Sequence, residues 1–379
     1  MKIPVLDLSG QYRQVRREVL REIEKVCDSQ RFVLGPNVSA LETEIASYSG
    51  ARYGVGCGSG TDALILALMA SGVGPGDGVV TTPYTFFSTA GAISLLGARP
   101  VFVDIDPATY NIDPDGIRAC LKRKSKGVKA VIPVHLYGQT AEMDPIKKTA
   151  RRYGLKVIED AAQAIGAEYR GRRAGSIGDV GCFSFYPSKN LGGFGDGGML
   201  TTGSKKTAET LRMLRVHGSN RRYYHTLIGT NARLDEMQAA VLRVKFRYLE
   251  GWTGGRIKKA ARYDALFKKA GLSEFVTLPV ITEGNRSVFN QYVLRVKKRN
   301  RLREHLSKKG VSTEVYYPVP LHLQKSFSSL GYKKGDFPES ERAARETVAL
   351  PMYPELKDSE IKYVVAAIAG FYSKGGGRR

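Results

Sequence analysis

The sequence predicts an α/β fold: a large domain with a mostly parallel sheet between layers of helices, then a smaller C-terminal α+β domain. Three observations predict it. Apolar strand patterns and helical patterns alternate about every 30 residues from Tyr53 to Thr202, the spacing of strand–helix–strand units. Glycine-rich turns and acids fall just after the strand patterns, where open parallel sheets place their ligands. The chain has 379 residues, 42% of them hydrophobic, enough for one large core and one smaller one.

Residues 1–50 read as a basic arm and two helices. Gln11–Gln30 carries Val15, Val19, Leu20, Ile23 and Val26 in a helical rhythm; Gly35-Pro36-Asn37 interrupts, and Ser39–Tyr48 resumes with Leu41, Ile45 and Ala46 on one face. Tyr53–Gly60 is a strand that runs into Gly58-Ser59-Gly60-Thr61, and Asp62–Ala70 is a helix. Small residues at a helix start let backbone amides converge on an anion, helped by the helix dipole. By itself such a turn is more often only a turn, and the spacing is neither a dinucleotide fingerprint nor a P-loop. Val79–Thr82 is a strand that leads into Pro83-Tyr84-Thr85-Phe86-Phe87, Thr89–Leu96 a small-residue helix, and Pro100–Ile105 a further strand. Asp104 and Asp106, just before Pro107, read as turn starters and not as a metal pair. Lys129–His135 is a strand and Asp144–Tyr153 a helix.

The central stretch is Val157–Thr202. The strand pattern Leu155–Ile158 ends in two acids, Glu159 and Asp160; a second strand, Asp179–Phe185, delivers Ser184, Ser188 and Lys189 to a turn; the loop Gly192–Gly198 precedes a third strand. An acid at one strand end and a lysine just past the next point to a carbonyl cofactor held as a Schiff base, its ring nitrogen paired to a carboxylate. Most lysines of a basic protein lie at the surface, but the apolar, turn-bound FSFYPSKN is a poor place for an idle charge. Lys205–His217 is a helix, Gly218–Thr230 a polar loop, and Asn231–Asp235 opens a long helix through Leu249, with Asn231 placed to cap it. Trp252–Gly255 divides the chain into domains 1–252 and 253–379. The second contains the helix Arg256–Ala270, strands Phe275–Leu278 and Gln291–Val296, the helix Arg301–Lys309, and the segments VYYPVPLHL (Val315–Leu323) and LPMYP (Leu350–Pro354).

From Asp160 and Gln163 through FSFYPSKN and the glycine loop, the chain closely resembles the pyridoxal-phosphate-dependent aminotransferases of nucleotide-sugar biosynthesis, the DegT type, and the resemblance runs over nearly the whole chain. It implies fold type I with pyridoxal 5'-phosphate as cofactor and pyridoxamine 5'-phosphate as its amino-bearing form. Carried over by position, it implies that Gly60, Thr61 and Ser184 contact the cofactor phosphate and that Phe86 stacks on the ring. Asp160 faces the ring nitrogen, Gln163 the ring's 3-oxygen, and Lys189 holds the cofactor and then carries the proton. Asn231 reaches the neighbouring subunit's cofactor phosphate in a homodimer with shared sites, Arg233 lies near the substrate's anionic groups, and Tyr316, Tyr317 and His322 face the substrate. The implied reaction moves an amino group from L-glutamate to a 3-keto or 4-keto hexose on a nucleoside diphosphate. Tyr316 stands where relatives that handle sugar acids have histidine, so a uronic acid is not expected. Two rivals remain. One is a sugar dehydratase of the same fold, whose relatives have histidine in place of the lysine that is present here. The other is a non-catalytic DNA-binding regulator.

The net charge of +23 bears on that last rival. The basic residues are densest at Arg118–Lys129, Arg295–Lys309 and the tail Gly375–Arg379, with no aromatics interleaved as a single-strand binder needs. They read as solvated faces that weakly steer an anionic substrate, and no nucleic-acid partner is expected. The four cysteines are far apart and read as reduced thiols, and the five histidines show no zinc spacing. No apolar run approaches a membrane span and Met1-Lys2-Ile3-Pro4 is not a signal peptide, so the cytoplasm is the expected compartment.

Overall fold

The computed structural model describes residues 2–123 and 125–373; the basic tail Gly375–Arg379 lies outside the described residues. The helical arm is α1 (Ser9–Ser29) and α2 (Pro36–Ser49). There follow β1 (Tyr53–Cys57), α3 (Gly60–Ala70), β2 (Gly78–Thr81), α4 (Phe87–Leu95), β3 (Arg99–Phe102), α5 (Pro114–Arg123), β4 (Val128–Val131), α6 (Met143–Tyr153) and β5 (Lys156–Asp160). A small hairpin, β6 (Glu168–Tyr169) and β7 (Arg172–Arg173), leads to β8 (Val180–Ser184), β9 (Gly198–Thr202) and α7 (Lys205–Leu214). A second hairpin, β10 (Ser219–Arg221) and β11 (Tyr224–His225), precedes α8 (Glu236–Phe246) and α9 (Leu249–Lys269).

Seven strands form the main sheet in the order β1-β9-β8-β5-β4-β2-β3. The run from β8 to β3 is parallel, and β9 is antiparallel to both its neighbours. The strands are buried on both faces, as parallel strands covered by crossover helices must be. Alternation along them divides the core. Cys182 and Leu200 pack with Leu64, Ala67 and Leu211 of α3 and α7, while Phe183 and Met199 pack with Leu41, Ile45 and Leu242 of α2 and α8. The same alternation decides which strand-end side chains reach the site.

The second part holds β12 (Val276–Thr277), β13 (Asn285–Arg286), β14 (Tyr292–Val296), α10 (Arg299–Lys308), α11 (Pro338–Glu346), β15 (Thr347–Leu350) and α12 (Asp358–Phe371). β12, β14 and β15 form an antiparallel sheet. Its core takes Leu302, Leu306, Ile361 and Val364 from the helices, Tyr263 and Phe267 from α9, and Ile3 from the start of the chain.

Two helix starts differ from the sequence reading: the helix expected from Arg256 begins at Leu249, and the one expected from Asn231 begins later. Trp252–Gly255, where the sequence divides the chain, lies inside the single helix α9. Its glycines are outvoted by packing: Trp252 is buried with Val15, Val19, Val241 and Val244, and its Nε1 donates to Gln14 at 3.0 Å. The helix expected to open at Asn231 starts at Glu236, and Asn231 bridges to Val216 as extended chain, so it caps nothing in α8. Glu236 instead serves another helix. Its buried carboxylate accepts the amides of Asn37 (2.6 Å) and Val38 (3.1 Å) in the first turn of α2, where helix amides lack internal partners. Replacing Glu236 with alanine is expected to destabilise the protein by about 2–3 kcal/mol, read as a lower urea midpoint with an unchanged slope.

Candidate active site

β5 carries two adjacent acids to its carboxyl end, and the pleat sends them to opposite faces. Glu159 is fully buried: its carboxylate accepts the amides of Gly175 (2.8 Å), Ile177 (2.7 Å) and Gly178 (2.6 Å) and the Nε2 proton of His135 (2.9 Å). The His135 Nδ1 accepts the amide of Ala141 at 3.1 Å, which places the ring's proton on Nε2. Burial opposes the charge of Glu159, but His135 and the amides outweigh it and hold the carboxyl below its ordinary range. With every oxygen engaged, Glu159 is a structural anchor.

Asp160 is different. Its Oδ2 accepts from Thr89 Oγ1 at 2.8 Å, Thr85 backs Thr89 at 3.0 Å, and Oδ1 accepts a long bond from the Ala162 amide, 3.3 Å. Burial pushes this carboxyl above its ordinary range, against the Thr89 hydroxyl, the Ala162 amide and the field of Lys189. Among the described residues no cation hydrogen-bonds to this buried acid, a lack that a protonated ring nitrogen would make good.

β8 ends at Ser184, and the turn after it carries Lys189, whose amide donates to Tyr186 O at 2.9 Å. Gly193 closes the loop by donating to Phe185 O at 2.7 Å. Burial lowers the Lys189 ammonium below the usual lysine range, and only Asp160 opposes that shift. Beside Ser184 stands the first turn of α3. Ser59 caps it by accepting the Asp62 amide at 3.0 Å, leaving the amides of Gly60 and Thr61 without partners inside the helix. A Cβ on Gly60 would lie 2.6 Å from Ser184 Cβ, so only glycine lets helix start and serine come this close. Two amides, a hydroxyl and a helix dipole make an anion cradle.

Gln163 accepts the Tyr137 amide at 2.7 Å and donates to the Tyr317 hydroxyl at 3.0 Å. The Phe86 ring, 59% exposed, stands 6.3 Å from Tyr317. Tyr84 and Tyr137 donate to the Tyr316 carbonyl at 2.5 and 2.6 Å and fix the segment that presents both tyrosines. The structure thus joins Phe86 and Gln163 through Tyr317, and brings the helix start at Gly60 against Ser184. Asn231 is exposed and Arg233 half-buried; the Gly58 amide donates to the Ala232 carbonyl between them at 3.2 Å, so their segment runs along the cradle. His322 is buried against Phe337, its Nε2 3.2 Å from Glu341, and it is not joined to these groups by any hydrogen bond. Burial lowers its pKa, with Glu341 opposing. The sequence reading missed Thr89, Tyr84 and Tyr137. Thr89, a polar residue at a buried position of the small-residue helix α4, carried the one available signal.

The residues fit pyridoxal phosphate: an anion cradle that a Cβ would fill, a lysine with a lowered pKa, and a buried carboxylate lacking a cation. An α/β fold with these groups at its strand ends defines a pyridoxal-phosphate enzyme. The comparisons agree. The chain belongs to the DegT/DnrJ/EryC1/StrS aminotransferase family, whose sequence model matches residues 13–369. It is an aminotransferase, and the family depends on pyridoxal phosphate. The chain is 53% identical over 372 residues to a protein of Geobacillus stearothermophilus named pleiotropic regulatory protein, covering 98% of this chain and 99% of that one. It is 43% identical over 366 residues to the UDP-N-acetyl-3-dehydro-alpha-D-glucosamine 3-aminotransferase of Acidithiobacillus ferrooxidans, covering 97% of each. The crystal structure of S. venezuelae DesV in complex with a ketimine intermediate superposes with a TM-score of 0.93 at 41% identity, covering 98% of each chain.

Two outcomes are expected here. Gly60→Ala forces Ser184 aside and should weaken pyridoxal phosphate binding about tenfold or more, measured by absorbance titration, with little change in melting temperature. Because the Lys189 pKa is lowered, the neutral amine is present at pH values where an exposed lysine is almost wholly protonated. Capture of the aldehyde, followed at 1 mM cofactor across pH, should therefore fall off only below that lowered value.

Proposed function

We propose that this chain transfers an amino group from L-glutamate to carbon 3 of a keto-hexose carried on a nucleoside diphosphate, as a cytoplasmic homodimer with shared sites. The observation that carries the reading is the anion cradle where Ser184 ends β8, next to the turn whose Lys189 lies in the field of the buried Asp160. Bound there, pyridoxal phosphate supplies an electron sink that lets a C–H bond next to the amino nitrogen break. Gly60, Thr61 and Ser184 would hold its phosphate, Phe86 would cover its ring, and Gln163 would donate to its 3-oxygen. Asp160 would keep the proton on the ring nitrogen. Lys189 Nζ would move a proton at the reacting carbon, a task suited to an amine held below its usual pKa. Arg233 offers a guanidinium to the sugar's phosphates, and the overall charge of +23 favours encounter with a dianion, an effect that salt will weaken.

Amination at carbon 3 is supported by the names of relatives at 41–43% identity. The shared site is supported by apolar side chains left exposed in the single chain: Tyr223, Tyr224 and Ile228 in the segment before Asn231, and Phe32 and Val33, the latter bridged to Asp235 just after it. The four free cysteines suit the cytoplasm. A second reading, a regulator that binds an anionic partner, is favoured by the name of the Geobacillus relative. It is also favoured by an open groove of about 870 Å³ lined by Arg295, Lys297, Arg299, Arg301, Arg342 and Arg345.

The test uses purified protein, L-glutamate and a panel of nucleotide 3-keto and 4-keto sugars, with products read by mass. Amination of a 3-keto sugar is the expected result; amination of 4-keto sugars alone, or of none, overturns the proposal. Lys189→Ala should abolish the visible absorbance and lower turnover by about 10³-fold or more. A nucleic-acid binding activity that survives this change would favour the regulator.

A further inference from the structure

The glycine loop after Lys189 is clamped by one face of α8, and the clamp includes a cation without a counter-charge. Gln238 and Lys245 lie two turns apart on that helix and so share a face. Gln238 Oε1 accepts the Phe194 amide at 2.8 Å. Lys245 is buried; its ammonium donates to the Gly192 carbonyl and stands 5.5 Å from the centre of the Phe194 ring. The outer side of that ring meets Tyr12 of α1 at 5.8 Å. No ion pair forms at Lys245 among the described residues, and burial alone lowers its pKa to about 8.

A buried ammonium is costly unless its surroundings repay it, and methionine would fill the same space without that cost. The return is found in what the carbonyl belongs to. Gly192 packs on the turn that bears Lys189, so closely that a Cβ would lie 2.4 Å from Pro187 O. The next amide, Gly193, ties back to Phe185 at the strand end. Fixing Gly192 therefore fixes the turn between Phe185 and Gly193 at both ends, with Lys189 in its middle.

We propose that Lys245 is a positioning residue for the cofactor lysine: with Gln238 it holds the loop 192–195 so that Lys189 is presented towards Asp160. This rests on the reading of Lys189 given above.

The test compares the parent protein with Lys245→Met, Lys245→Arg and Gln238→Leu. The readouts are melting of the apoprotein, hydrogen exchange of loop amides 189–196 in the apoprotein, affinity for pyridoxal phosphate, and the pH dependence of the visible absorbance. Lys245→Met should melt within a few degrees of the parent, exchange its loop amides faster, bind the cofactor about tenfold or more weakly, and shift the pH profile of the absorbance. Lys245→Arg should recover part of each change. The proposal is overturned if Lys245→Met matches the parent in loop exchange and cofactor affinity, or if its losses merely track a lower melting temperature and arginine restores none of them. Should Lys245→Met not fold, Gln238→Leu decides: faster loop exchange with weaker binding supports the clamp, and parental values sink it. A parent that takes up no cofactor would refute the proposed function, while loop exchange in the apoproteins would still decide the role of Lys245.

Discussion

The site depends on two opposite charges that water does not serve well. Asp160 is buried at the end of β5, and Lys189 sits in a turn that strips much of its hydration. Each moves towards its neutral form, and each is the main charge that resists the other's shift or one of the few that do. In water such a pair is worth little; inside a protein it is held in place and its field is felt. Pyridoxal phosphate would answer both groups, with its ring nitrogen for Asp160 and its aldehyde for Lys189. The fold's contribution is to end β5 at an acid and to follow the neighbouring strand β8 with the turn that bears the amine.

Much of the remaining structure keeps that placement firm. Glu159, one residue away, is buried on the other face with His135 and three amides, so the strand end that carries Asp160 is anchored from behind. Thr89, backed by Thr85, orients the carboxylate from α4. Tyr84 and Tyr137 reach from the ends of the central strands to the Tyr316 carbonyl, linking the second part of the chain to the site floor. Fixed donors of this kind reorganise little during reaction, which is how a protein environment outperforms solvent.

The fold class and the centre of the site were legible because their signals are local. Asp160, Gln163, Ser184 and Lys189 lie within 30 residues of each other, and the strand patterns around them are short and apolar. Gly60 was legible as a turn and, by resemblance, as a phosphate contact, but the reason it must be glycine needed the contact with Ser184, 124 positions away. Thr89 meets Asp160 across 71 positions, and Tyr84 meets Tyr316 across 232; no periodicity reports such contacts. The start of α8 was misplaced because Asn231 is a good cap in isolation, whereas Glu236 is drawn to the amides of α2 nearly 200 residues earlier. His322 was grouped with Tyr316 and Tyr317 by the resemblance; in the structure its short helical turn carries the side chain into the interior.

The unbroken course of α9 limits how the molecule can breathe. Its first turns pack with the helical arm, and its last turns form part of the core beneath β14. A rod shared in this way offers no loose torsion at 252–255. Bending the chain there would break the carbonyl-to-amide links that run through that turn of the helix. Any motion of one half relative to the other must therefore arise elsewhere than at 252–255.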